Sequence, residues 1–278
     1  MRILLAKFFR FLFKSKYFKT KFFGIHQRIF EPYNLFKGVV QKVDYHGFQL
    51  TLHLDDWIQE NIYFLGEYEK AELKTLDHFL KEDSVFLDLG ANLGLFTLHA
   101  SQRIGNNGKI VSFEPFSTNN KALVHHLSDN HITNVTVEKL AVGEQNGTIT
   151  LYYDEKEANL GMVSAKPVEN AQKEEVEIVS IDSYFQKNPL SKVDFIKIDI
   201  EGFEYPTLLG MESTLKQFYP TLLIELLSDS SVPNTGDKVE SLLTNLGYKK
   251  FFITDEGTLS TTATNQIRMN YLFTTDKV

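Results

Sequence analysis

The sequence predicts an α/β protein built on a doubly wound, mostly parallel, seven-stranded sheet. From residue 85 onward, short apolar segments rich in Val, Ile and Phe alternate with segments of helical periodicity. Apolar strands separated by helices indicate βαβ units, in which helices cover both faces of a parallel sheet. Right-handed crossovers make such a sheet doubly wound, and its ligands bind outside the carboxyl ends of the strands.

The composition indicates a globular protein and excludes chemistry that depends on cysteine. The chain has 278 residues, of which 42% are hydrophobic and 23% charged, and this suits one globular domain with attachments. It contains no cysteine, which excludes disulfides, thiolate nucleophiles and zinc–thiolate sites. No run of about 18 apolar residues occurs, so we expect no membrane-spanning helix.

Residues 1–35 are predicted to form a basic amphipathic arm. Residues 1–30 hold eight cations and no acid, so the rest of the chain carries a net charge of −15. That acidic remainder argues against nucleic acid as a partner. On a helix the cations gather on one side and apolar residues such as Leu4 and Phe8 spread over the other, which is typical of a helix lying on an anionic membrane. The alternative is packing on the protein itself or in an oligomer. We expect a cytoplasmic location, with peripheral contact at the inner face of the membrane as an option.

Residues 36–68 are predicted to contain a β-hairpin and a connector. Apolar and polar residues alternate over 39–54 on both sides of the turn DYHG. A polar, aromatic segment follows and leads into a helix around 69–81, where the main domain of residues 69–278 begins.

In the main domain, segments with the apolar pattern of strands alternate with segments of helical periodicity. Strands are predicted at 85–89, 109–114, 135–142, 193–200, 221–226, 249–254 and 269–275. Helices are predicted near 94–103, 117–129, 203–217 and 236–246. The last two strands have no helix between them, which predicts an antiparallel pair at one edge of the sheet. The polar segment 154–175 is a candidate substrate loop.

An acidic glycine loop follows the first of these strands, in VFLDLGANLGLF. Its glycines have the spacing G-x-x-x-G, whereas a dinucleotide site uses G-x-G-x-x-G to bring backbone amides to a pyrophosphate. Asp88 at the strand end would repel a pyrophosphate and attract a cation. Glu114, at the end of the next strand, can accept both hydroxyls of a ribose. The two acids together predict a phosphate-free nucleoside with a positive centre, and S-adenosylmethionine fits that description.

Each acid also has a simpler interpretation. Asp88 could only cap the helix that follows, and Glu114 could be a solvated strand end. A nicotinamide-dependent oxidoreductase could use the same sheet, but the missing glycine and the acid in the loop argue against it.

A second group of acids follows a later strand, in KIDIEGFE. Lys197 and Asp199 share strand parity, so they are predicted to point to one face, where a buried lysine would need such a partner. An alcohol acceptor needs its proton removed by a carboxylate or histidine within hydrogen-bond reach. Asp199 is the first candidate for this base, Glu201 the second and Glu225 the third.

Two alternatives remain for these acids. Glu201 and Glu204 could be no more than helix-start acids that interact with the helix dipole. The three acids could instead hold a Mg²⁺ ion that binds and acidifies a diol. Our expectation is a site without a metal.

Four segments in this order, DLGANLGLFT, FEP, FIKIDIEGFEYPTLLG and LLIEL, resemble the FkbM-type S-adenosylmethionine-dependent methyltransferases over about residues 60–230. The resemblance implies the Rossmann-like class I methyltransferase sheet and, often, O-methylation of hydroxyls in sugars or other natural products. It also implies that Glu114 holds the ribose, that Ala141 lies near the adenine, and that the methionine side is lined by Asp88, Gly90, Asn92, Gly94 and Thr97.

The expected function is therefore S-adenosylmethionine-dependent O-methylation of a sugar, glycan or glycolipid hydroxyl. N-methylation, C-methylation and a non-catalytic role in a glycan-assembly complex stay open. We expect a small-molecule or glycan acceptor and no nucleic acid as partner, and the sequence is compatible with an oligomer.

Overall fold

The computed structural model of the chain describes residues 1–153, 171–226, 235–263 and 269–275. The chain divides into two compact units, one formed mainly by Met1–Glu69 and the other mainly by Lys70–Leu151 and Lys173–Val278. Within the described ranges, no helix is both long enough and apolar enough to cross a bilayer. The predicted substrate loop at 154–175 lies almost wholly outside the described residues.

Short helices and a hairpin make up the first unit. Its helices are α1 (Arg2–Leu12), α2 (Lys16–Lys19), α3 (Phe22–Ile25), a π-helical turn (His26–Phe30) and α4 (Trp57–Leu65). Its strands, β1 (Val40–Tyr45) and β2 (Phe48–His53), pair antiparallel and confirm the predicted hairpin. The sequence analysis missed α4, which begins after Asp56, a cap that accepts the Gln59 N–H, and ends at Gly66 in the left-handed region.

Aromatic rings hold the helices of the first unit together. Phe13, Phe22, Phe30, Phe36 and Phe64 are buried and pack ring against ring. The ring centroids of Phe13 and Phe22 are 5.3 Å apart, and those of Phe30 and Phe36 are 4.8 Å apart, both edge to face. Such pairs contribute about 0.5–1.5 kcal/mol each beyond their burial. The inner face of the arm therefore packs on the chain itself.

The second unit is centred on an eight-stranded sheet. Its strands are β3 (Val85–Leu89), β4 (Lys109–Phe113), β5 (Val135–Glu138), β9 (Phe195–Ile198), β10 (Thr221–Glu225), β11 (Lys249–Ile253), β12 (Leu259–Ser260) and β13 (Asn270–Thr274). Their order across the sheet is β12-β11-β13-β10-β9-β3-β4-β5. Strands β10, β9, β3, β4 and β5 are parallel, and β13 runs antiparallel to both β10 and β11. The predicted doubly wound, mostly parallel sheet is confirmed, and the two-residue β12 adds an eighth strand to the seven.

Helices accompany the strands of this unit in the predicted alternation. They are α5 (Lys70–Phe79), α6 (Leu95–Ile104), α7 (Ser117–Asp129), α8 (Ile181–Lys187), α9 (Glu204–Leu209), α10 (Glu212–Phe218) and α11 (Thr235–Asn245). The helix predicted over 203–217 is divided into α9 and α10. The carboxylate of Asp182 accepts the N–H groups of Ser213 and Thr214, at 2.9 Å each, and so caps the start of α10.

One predicted strand is also divided. The segment 135–142 forms β5 in the main sheet and then β6 (Ala141–Val142) in a second sheet. That sheet has three strands, in which β6 pairs parallel with β8 (Gln172–Val179), and β8 also neighbours β7 (Gly147–Tyr153).

Candidate functional site

The candidate site lies where the order of the parallel strands reverses. Strand β3 has β4 on one side and β9 on the other, so the loops after β3 and β9 open on the same edge of the sheet. This is the position at which doubly wound sheets bind their ligands. Within the β3–β9 pair, Asp88 is the register partner of Lys197.

The backbone N–H groups of the loop of residues 90–94, between β3 and α6, are all hydrogen-bonded within the protein. These five consecutive groups donate as follows: Gly90 and Ala91 to the Phe113 carbonyl at 3.0 Å each, Asn92 to the Glu114 carboxylate at 2.7 Å, Leu93 to the Asn92 side chain at 2.8 Å, and Gly94 to the Ala91 carbonyl at 2.8 Å. A pyrophosphate would need such N–H groups for itself. The loop is therefore poorly suited to a dinucleotide.

Close packing explains both glycines of this loop. Gly90 has φ of +80° and Gly94 has φ of +94°, a conformation that disfavours any other residue. A Cβ on Gly90 would overlap the carbonyl oxygen of Asp199, and one on Gly94 would overlap the side chain of Leu123. The glycines thus allow the loop after β3 to touch the loop after β9 and helix α7.

A buried network joins Asp88 to Asp199. Asp88 is 0% exposed, and its Oδ2 accepts a hydrogen bond from the Thr97 hydroxyl at 2.6 Å. The ammonium of Lys197 lies 3.8 Å from Asp88 Oδ1 and 3.1 Å from Asp199 Oδ2, and it donates to the Gly90 carbonyl at 3.0 Å. The prediction that Lys197 and Asp199 point to one face is confirmed.

The cation that faces Asp88 in this structure is Lys197. Burial raises the pKa of Asp88, while the Lys197 charge and the Thr97 hydroxyl act in the opposite direction. Because Asp88 is fully buried, its contacts are with these neighbours inside the protein. Within the described part of the chain, its Oδ1 has no hydrogen-bond partner. Gly94 occupies the N-cap of α6, but Asp88 also accepts a backbone hydrogen bond from Thr97 in the first turn of that helix. Asp88 therefore interacts with the start of α6 as well as with Lys197.

Glu114 lies directly after β4 and is 5% exposed. Its Oε2 accepts the Asn92 N–H at 2.7 Å and its Oε1 accepts the Phe116 N–H at 3.0 Å. Burial raises the pKa of Glu114 to about 7, against the effect of the two N–H donors. The interpretation of Glu114 as a solvated strand end is therefore wrong. Each carboxylate oxygen retains capacity for a further donor, such as a hydroxyl.

Three carboxylates converge beside this network. One oxygen from each of Asp199, Glu201 and Glu225 lies within 4.8 Å of the others. The side chain of Asp199 is 26% exposed, so it can meet a ligand in the crevice. Glu201 is exposed at the surface, but partial burial of its carboxylate raises its pKa to about 7, and the charges of Asp199 and Glu204 add to this effect.

Glu204, and not Glu201, takes the position of a helix-start acid. Helix α9 begins at Glu204, whose carboxylate accepts the Gly202 N–H at 3.0 Å and the Ile200 N–H at 3.4 Å. Glu201 lies in the loop before the helix with φ of +52°. A positive φ is uncommon outside glycine and asparagine, and such residues cluster at functional sites.

Two further residues, Ala141 and Ser112, complete the description of the predicted site. Ala141 is buried in β6 of the smaller sheet, opposite Ile178. Ser112 was missed by the sequence analysis, although its hydroxyl lies 2.7 Å from that of Thr97. Ser112 is the β4 register partner of Asp88, so a polar residue inside an apolar strand was the available signal.

Comparisons with known proteins identify the second unit. A family model described as the methyltransferase FkbM domain matches residues 88–250. A curated relative, Methyltransferase 1 of Beauveria bassiana (strain ARSEF 2860), is 22% identical over 163 residues, which are 52% of this chain and 65% of the relative. The chain thus matches somewhat less than two thirds of that protein.

Two solved structures are also similar to the chain. Methyltransferase FkbM from Methylobacillus flagellatus KT has a TM-score of 0.48 and 18% identity, with 77% of this chain and 52% of that chain covered. A putative rRNA methylase from Clostridium thermocellum has a TM-score of 0.46 and 13% identity, with 73% and 90% covered.

Proposed function

Because the chain belongs to the FkbM methyltransferase family, whose model covers more than half of its residues, we propose that it methylates a hydroxyl of a sugar, glycan or glycolipid. S-adenosylmethionine is the cofactor of the family. The observation that supports this cofactor at the site is the buried carboxylate of Glu114 at the end of β4, beside a glycine loop whose N–H groups are already bonded.

The residues at the site fit this cofactor. Glu114 retains acceptor capacity for ribose hydroxyls. Asp88 and Asp199 share the single ammonium of Lys197, and Glu201 and Glu225 add carboxyl groups beside Asp199, which favours a ligand that carries positive charge. When bound, S-adenosylmethionine supplies an electrophilic methyl group on a sulfonium.

Asp199 is proposed as the residue that receives the proton of the acceptor hydroxyl. The ammonium of Lys197 lies 3.1 Å from Asp199 Oδ2, and this contact orients a carboxylate whose side chain is 26% exposed. Glu201 is the second candidate, because a base with a pKa of about 7 is well matched to neutral pH. Glu225 is the third candidate and adds a carboxylate to the same group. The protein otherwise contributes the alignment of the reacting atoms.

Transfer of a tritiated methyl group into fractionated extract of the source cell tests the proposal. We expect label in a carbohydrate or glycolipid fraction, at an ether carbon located by mass spectrometry. Label confined to protein or nucleic acid, or to nitrogen or carbon atoms of the product, would reject the proposed acceptor.

A second candidate is metal-assisted methylation of a diol. It is favoured by the convergence of Asp199, Glu201 and Glu225, whose oxygen ligands suit Mg²⁺. The same labelling assay separates the two candidates after dialysis against EDTA. Activity that survives dialysis supports the metal-free reaction, and activity that is lost and returns with Mg²⁺ supports this second candidate.

The affinity for S-adenosylhomocysteine is expected to rise between about pH 6 and about pH 7 and then to level off. The pKa of Glu114 is about 7 without ligand, so the group is partly protonated in this range. Ribose hydroxyls that donate to the ionised carboxylate lower that pKa, and binding then releases a proton. Calorimetry in buffers of different ionisation enthalpy measures both quantities. Proton uptake, or affinity that falls as pH rises, would contradict this role of Glu114.

A further inference from the structure

Helix α1 has an exposed apolar stripe that does not pack within its own unit. The stripe consists of Leu4, Phe8 and Phe11, which are 72%, 56% and 72% exposed. Their spacing of four and then three residues places them on one face of the helix. Large apolar side chains side by side on a surface mark a site of interaction.

The opposite face of α1 is already occupied. Ala6 on this helix and Phe13 just after it are 0% and 2% exposed, and the Phe13 ring packs edge to face against Phe64 at 5.8 Å. The guanidinium of Arg10 lies 4.7 Å from the ring centroid of Tyr63 on α4. The helix is therefore held in place by one face while the stripe faces outward.

Positive charge accompanies the stripe. Lys7 lies on α1 four residues before Phe11, next to the stripe, and Lys14 lies in the turn just after the helix; both are exposed. Residues 1–30 contain eight cations and no acid, whereas the rest of the chain carries a net charge of −15. An anionic surface repels the acidic remainder of the chain. The basic segment of residues 1–30 is therefore the part that can bind such a surface.

We propose that the stripe and its flanking lysines bind the surface of an anionic lipid membrane. Leu4, Phe8 and Phe11 enter the boundary between headgroups and acyl chains, while Lys7 and Lys14 stay at the headgroup phosphates. A second copy of the chain is a poorer occupant. A symmetric contact of stripe on stripe would bring the lysines of the two copies together.

Vesicle flotation of the full-length chain tests this proposal. We expect the wild-type protein to float with vesicles of equimolar phosphatidylglycerol and phosphatidylcholine, and to float far less with phosphatidylcholine alone. Replacement of the stripe (Leu4→Ser, Phe8→Ser, Phe11→Ser) is expected to lower the partition coefficient about 100-fold. Lys7→Glu with Lys14→Glu is expected to lower it about tenfold or more at low salt.

A matched control uses exposed apolar residues of the second unit: Val124→Ser, Tyr219→Ser and Met269→Ser. This variant should float like the wild type, and thermal melting should show that every variant is folded. Wild-type protein that stays with the soluble fraction, or stripe variants that float as well as the control, would overturn the proposal. Light scattering that shows the stripe variant losing a dimer, without any flotation of the wild type, would assign the stripe to a second copy instead.

Discussion

An Asp199→Asn variant is expected to transfer methyl groups about 100- to 10,000-fold more slowly than the wild-type protein, because asparagine cannot accept the proton of the acceptor hydroxyl. The substitution keeps the size of the side chain and an oxygen that can face Lys197. The affinity for S-adenosylhomocysteine should change little, since Glu114 and the loop of residues 90–94 are untouched. Initial rates of tritium transfer into the labelled fraction, with calorimetry of both proteins, measure the two effects.

Glu212→Gln is the control for this experiment. Glu212 lies on α10, where its side chain is 48% exposed and paired with Lys216. Its replacement should leave the rate unchanged. If Asp199→Asn retains the wild-type rate, then Asp199 is not the base, and Glu201→Gln becomes the informative variant. A loss of cofactor affinity equal to the loss of rate would show that Asp199 acts in binding.

Replacing Glu114 by glutamine is expected to weaken the binding of S-adenosylhomocysteine about 100-fold. Two hydrogen bonds from ribose hydroxyls would lose their ionised acceptor, and each would weaken by about 1–1.5 kcal/mol, the difference between a charged and a neutral acceptor. An amide group would also present N–H to the N–H of Asn92 or Phe116, both of which donate to Glu114 in the wild type. Titration calorimetry at a pH above about 8, where the wild-type group is ionised, isolates this effect.

Two controls make the Glu114 result interpretable. Glu144→Gln replaces an exposed acid in the same unit and should bind like the wild type. Glu114→Asp keeps the charge on a shorter side chain and should bind with intermediate affinity. Full affinity of a folded Glu114→Gln protein would remove the ribose role proposed for this residue.

Local periodicity was sufficient to predict most of the second unit. The apolar runs around β3, β4, β9, β10, β11 and β13 gave the strands to within two residues at each end. Strand parity also predicted that Lys197 and Asp199 would meet, because side chains two residues apart share a face.

Some interactions between distant segments could not be predicted. The start of α10 depends on Asp182, about thirty residues earlier in the sequence, which no local pattern shows. The end of α9 did have a local signal, because Gly210 is its C-cap. The partner of Asp88 was predicted as a cationic ligand, whereas Lys197, from a strand more than a hundred residues away, lies beside it. By contrast, the grouping of Glu225 with Asp199 and Glu201 was predicted, because the carboxyl ends of parallel strands meet at one edge of the sheet, and one oxygen of each lies within 4.8 Å of the others.

The N–H groups of residues 90–94 are already hydrogen-bonded within the protein, and this limits how the scaffold could be re-engineered for another cofactor. Freeing the Asn92 N–H would require removing Glu114, and freeing those of Gly90 and Ala91 would require displacing the Phe113 carbonyl. That carbonyl belongs to the backbone of β4, where no point mutation can delete it. A change of preference to a nicotinamide dinucleotide would thus demand transplantation of the whole strand–loop–helix segment, so the selectivity resides in main-chain geometry more than in any replaceable side chain.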